Sequence, residues 1–230
     1  MKAILFKLFL LLFWSLNAHA TDRLYVGVIQ DSAGFFGASD GRLTGSAAGV
    51  YQCVFARSDI EIEAQVIPLK RGLIELESGR LDILAPLAKS EARDEQGDFA
   101  GPLIRAGVST VTLHSAGIDV PPTEIPGLRY GILLGTIGKR FVPDSAVALE
   151  EVAAWSQLIE MLRLQRIDVA IMPTGVAKGF VAREAETFST WEIGYLPASF
   201  YLSKKFSGSD VKRKLLEAVT QCREDNVRDD

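Results

Sequence analysis

Arg93 closes the run Lys89-Ser90-Glu91-Ala92-Arg93, on the far side of a small-residue turn that follows the apolar stretch Leu81 to Leu84. A guanidinium matches a carboxylate with two parallel hydrogen bonds and keeps its charge where water is excluded, so an acid could be anchored here. An arginine alone in a loop is more often simply hydrated, and its surroundings must decide. Thr136 follows Gly135; its hydroxyl and the N–H groups after it could cap a helix or hold an anion. Gly131, Gly135 and Gly138 lack the G-x-G-x-x-G spacing of a dinucleotide loop. Cys53, Cys222 and His114 match no short metal-ligand motif, so no metal is expected. No nucleophile–base pair is evident, and the sequence names no catalytic residue and no cofactor.

The ends of the chain set the compartment. Lys2 and Lys7, the apolar run from Ile4 to Leu16, and Ala18-His19-Ala20 read as a secretory signal peptide over residues 1–20. The apolar stretch is short for a membrane span. Thr21 rather than cysteine follows, so no lipid anchor is expected and a periplasmic location is. The remaining 210 residues suit one large domain or two small lobes. The whole chain has a formal charge of −4, and loss of Lys2 and Lys7 makes it −6. A mildly acidic chain with scattered basic residues has no footprint for nucleic acid.

Strands and helices must position these groups. Arg23 to Ile29 reads as a buried strand, Gln30 to Thr44 as a loop with Phe35-Phe36 at its centre, and Gly45 to Arg57 as a helix. Ile60 to Ile67 alternates like a strand, Lys70 to Ser78 is a short helix, and Leu81 to Leu84 is the next strand. After a β-rich run at Gly107 to Leu113, a second α/β unit starts at Arg129 to Leu134. It continues with a helix over Glu151 to Leu164, a strand at Ile167 to Met172 and a helix from Thr174 to Arg183. Two short strands around Pro197 and a last helix from Asp210 complete the pattern. Strands alternating with helices predict an α/β fold whose sheets are mostly parallel. Two lobes with a cleft between them are expected, residues 21–113 plus 197–230 forming one and 114–196 the other. The last helix then returns to lobe one, where Cys222 on its apolar face can meet Cys53 beside Val50 and Val54. A Cys53–Cys222 disulfide is predicted in the exported protein.

Gly79 to Pro102, with Ser90, Arg93, Asp98-Phe99 and Pro102 at their spacing, resembles the carboxylate-clamp segment of the periplasmic solute-binding proteins of family 3. These are the receptors of polar-amino-acid ABC importers. Four further stretches resemble the same family in order: Leu24 to Val28 with Asp40 to Gly45, Leu76 to Asp82, Pro126 to Thr136, and Arg166 to Ala170. The resemblance implies a type II two-lobed periplasmic-binding fold and a monomeric, non-enzymatic receptor for a small anionic or zwitterionic solute. It implies Arg93 on the ligand carboxylate, N–H groups from Ala88 and Ser90 beside it, and Thr136 reaching from the other lobe. It also gives Phe35 and Phe36 as an aromatic wall, although each residue could equally be core. An ABC permease is the implied partner, with a membrane sensor as the alternative. Dehydratases of the same fold keep an enzyme in view, with Lys89 or Glu91 as its acid. One position departs from the family. Pro173 stands where such receptors carry an aspartate for the ligand ammonium, so the solute either lacks that group or meets another residue, such as Glu91 or Asp31.

Overall fold

A computed structural model describes residues 23–30, 32–184 and 187–228; the leader read over residues 1–20 lies outside the described residues. The strands are β1 (Leu24–Ile29), β2 (Gly37–Ser39), β3 (Arg42–Thr44), β4 (Ile62–Ile67), β5 (Ile83–Ala88), β6 (Gly97–Phe99), β7 (Ile104–Leu113), β8 (Arg129–Leu133), β9 (Ala148–Val152), β10 (Val169–Pro173) and β11 (Phe188–Ser203). The α-helices are α1 (Ala48–Ser58), α2 (Leu69–Glu77), α3 (Glu91–Asp94), α4 (Trp155–Arg163), α5 (Thr174–Val181) and α6 (Asp210–Arg228).

Val26, Val28, Ile83, Leu84, Val169 and Ala170 are fully buried. Strands apolar on both faces belong in the middle of a parallel sheet covered by helices. The main sheet runs β4-β1-β5-β11-β7-β10-β8-β9, with β6 beside the end of β11. At one end β4, β1 and β5 are parallel; at the other β10, β8 and β9 are parallel. Between them β7 and β11 run antiparallel to each other and to their outer neighbours. The half built on β1 is called lobe one and the half built on β8 lobe two. The chain leaves lobe one along β7 and returns along β11, whose residues 198–203 pair with β5 and β6. In lobe one α1 and α6 close a core around Tyr51, Val54 and Phe200. Cys53 and Cys222 join those two helices in a disulfide across a sequence separation of 169.

Three local readings change. Residues 148–152 form the edge strand β9, and the helix begins only at Trp155. The Gln157 side chain fixes that start by accepting the N–H groups of Ala153 and Ala154. The loop before α1 contains the β2–β3 hairpin. Finally, β11 is one strand running through Pro197 rather than two strands around it. The carbonyl of Pro197 accepts the N–H of Lys89, one residue beyond β5, so the missing proline donor falls where β5 has ended.

Candidate functional site

The short helix α3 is aimed by a tyrosine from β11. The backbone N–H of Ser90 donates to Tyr201 Oη at 3.1 Å, and that hydroxyl donates to Asp94 Oδ1 at 2.9 Å. Burial pushes the Tyr201 hydroxyl up to about 12, so it remains a donor. With both ends of the turn pinned, Arg93 is directed inward and only 5% exposed. Its Nη1 donates to the Ala88 carbonyl at 2.7 Å within lobe one. Its Nη2 donates to the Gly135 carbonyl of lobe two at 2.9 Å. Burial pulls the guanidinium down to about 10, opposed by Tyr201, and it stays charged at neutral pH.

Beside Arg93 lies a cavity of about 110 Å³ between the lobes. Four of the sequence candidates meet there: Phe35, Ala88, Arg93 and Thr136 all line it. Thr136 lies ahead of a 3-10 turn (Ile137–Phe141), and its hydroxyl donates back to the Leu133 carbonyl at 2.7 Å. Two candidates are elsewhere. Phe36 is fully buried in the core of lobe one, its ring centroid 4.6 Å from that of Tyr51. Ser90 does not line the cavity, and its N–H is spent on Tyr201. The chain bends at these two residues, and the bend sends the Phe35 side chain to the cavity and the Phe36 ring into the core. Lys89 pairs with Asp94 at 3.7 Å and, like Glu91, is exposed and outside the lining. Asp31 lies outside the described residues. His114 is exposed, with Nδ1 3.1 Å from Ser189 Oγ.

The sequence reading missed most of the wall. Phe141, Trp155, Ile171 and Met172 of lobe two line the cavity with Ile29 and Leu69 of lobe one. The Gly135 carbonyl was missed as well, because a backbone acceptor leaves no mark on residue type. Among the described residues no group of His, Cys, Asp and Glu could hold a metal ion. No helix there is long and apolar enough to cross a membrane.

A second contact holds the lobes together beside the cavity. Residues 33–35 of lobe one lie on α5 of lobe two at Gly175 and Gly179. A Cβ at Gly175 would overlap the Phe35 ring, and one at Gly179 would overlap the Ala33 carbonyl. Bare backbone at two positions one helical turn apart is what lets the segment sit down on the helix.

No protein-family model matches the chain. The arginine-binding extracellular protein ArtP of Bacillus subtilis (strain 168) is 24% identical over 163 residues, covering 69% of this chain. The match spans 64% of that relative, just under two thirds of its length. An ancestral arginine-binding protein solved with arginine superposes with a TM-score of 0.74 at 21% identity, covering 90% of this chain and 95% of its own. An ancestral amino-acid-binding protein, a precursor of cyclohexadienyl dehydratase, gives 0.72 at 18% identity, with 90% and 92% covered. The chain has the two-lobed α/β fold of the periplasmic solute-binding proteins, and its neighbours in sequence and structure are amino-acid-binding proteins of the kind that the Arg93 segment resembles.

Proposed function

We propose that the protein is a periplasmic receptor that closes on a small carboxylate-bearing solute and delivers it to an ABC permease. One observation carries this reading: a buried, charged Arg93 borders an apolar cavity between two lobes and bonds to both of them. A lone charge in such a place needs an anion to complete it, and a closing cleft strengthens that pairing by excluding water. The neighbours bind amino acids as their names state, which supports a carboxylate as the common handle. In this reading residues 21–113 plus 197–230 move against 114–196, with hinges in β7 and β11.

Removing one partner of a desolvated charge pair costs about 2–5 kcal/mol, so Arg93→Ala should weaken binding at least about thirtyfold. Calorimetry against a ligand found by thermal-shift screening measures it, with a melting curve to show that the variant folds. An affinity unchanged in a folded variant would remove Arg93 from the site.

A further inference from the structure

We infer that the solute is a short aliphatic monocarboxylate with no ammonium group, such as a branched 2-oxo acid or its saturated analogue. The inference rests on the receptor reading above and narrows it. Arg93 is the one charged residue among the described residues of the cavity wall. Ile104, Val108, Phe141, Trp155, Ile171 and Met172 supply much of the remaining surface, so beyond the carboxylate the solute meets hydrocarbon. Pro173 ends β10 at the wall and offers neither charge nor N–H. The hydroxyl of Thr136 is turned to its own backbone.

Glu192 stands beside the wall residue Gly107, where a Cβ would be 2.7 Å from Glu192 Oε2. It is not a wall residue itself, and it already accepts from the Thr174 hydroxyl at 3.3 Å and from Tyr195. An α-ammonium would therefore enter next to a fixed positive charge and lose its water with no carboxylate among the described wall residues to receive it. Size points the same way. The space beside Arg93 is about 110 Å³, and its apolar wall suits a short hydrocarbon chain.

The test is calorimetry on the intact exported protein with 3-methylbutanoate, 3-methyl-2-oxobutanoate, valine and arginine, repeated on Arg93→Ala. The acids should bind at least about thirtyfold tighter than valine, the cost of an unpaired buried charge. A second variant, Pro173→Asp, places a carboxylate in the wall at the N-cap of α5, a position that favours aspartate. It should shift the preference toward valine by tenfold or more. Valine or arginine binding more tightly than the acids to the wild-type protein, with loss in Arg93→Ala, overturns the inference and leaves the receptor reading standing. Amino-acid binding that disappears in Asp31→Asn does the same and places the ammonium partner in the 30–36 loop. Failure of every acid and amino acid to bind overturns both.

Discussion

In lobe one the turn Gly79-Arg80-Leu81-Asp82 delivers the chain into β5; in lobe two Gln165-Arg166-Ile167-Asp168 delivers it into β10. The two turns do the same work with the same geometry. Asp82 Oδ2 accepts the N–H of Tyr25 at 2.7 Å, while the N–H of Asp82 donates to the Tyr25 carbonyl. Asp168 Oδ2 accepts the N–H of Arg129 at 2.8 Å, while its own N–H donates to the Arg129 carbonyl. Each aspartate thus sets the register of a parallel pair, and the apolar residue before it, Leu81 or Ile167, is buried beneath the strand. The countercharges differ. Asp82 is almost completely buried and pairs with Lys205, which arrives at the end of β11 from a distant part of the chain. Asp168 is 27% exposed and pairs with Arg129 of the adjacent strand. One turn is secured by the returning C-terminal segment, the other by an arginine of its own lobe.

The largest expected test of that asymmetry is the disulfide, which ties α6 to lobe one and has no counterpart in lobe two among the described residues. The chain-entropy argument puts about 5 kcal/mol as an upper figure on a loop of this length. Reduction should lower the urea midpoint markedly and leave solute affinity nearly unchanged. An unmoved midpoint would mean that α6 docks as firmly without its bond.

Next in size is Asp82→Ala, which strands a buried N–H and half of an ion pair and should cost about 3 kcal/mol. Asp168→Ala, in the wetter turn, should cost about 1 kcal/mol. Equal losses would erase the distinction drawn between the lobes. Acid sharpens it further. Hydrogen bonds from Arg129 hold Asp168 below the usual carboxylate range, against the effect of burial. Its contribution to stability is then complete above about pH 4 and lost as pH falls through the lowered value. Asp168→Asn should therefore flatten the acid limb of the stability curve, measured as thermal midpoint against pH.

The smallest effect lies at the first residue of each turn. Gly79 has φ of 75° and Gln165 has 53°, both left-handed. A side chain pays for that conformation where glycine does not, so Gln165→Gly should stabilise by about 0.5 kcal/mol and Gly79→Gln should cost about 1 kcal/mol. Denaturation curves of the two exchanges suffice, and the same sign in both would refute the equivalence of the turns.

These turns also show how far the sequence could be read. Gly79 to Asp82 and Arg166 to Ala170 were recognisable as segments, yet their likeness was invisible because only Arg, a branched apolar residue and Asp recur. Arg93 could be picked out because its neighbours on both sides carry the spacing. Phe35 and Phe36 could not be separated, since the choice depends on which side of the chain meets Tyr51. The strand β9 was hidden because Val152 falls in period with Trp155, Ile159 and Leu162 of the following helix. Trp155 and Met172 are apolar and buried, as core residues are; only the position of the cleft makes them its wall.

The glycine seat on α5 has a consequence for how this protein can vary. A glycine codon changes by single bases only to residues that carry a Cβ, and none of these fits against Phe35 at Gly175 or against the Ala33 carbonyl at Gly179. Neither position has a conservative substitute. Most of the cavity wall could be recoloured by mutation to suit a new solute, because one apolar side chain exchanges for another. The contact between residues 33–35 and α5 has no such latitude, so new specificities should arise in the wall while that contact keeps its present fit.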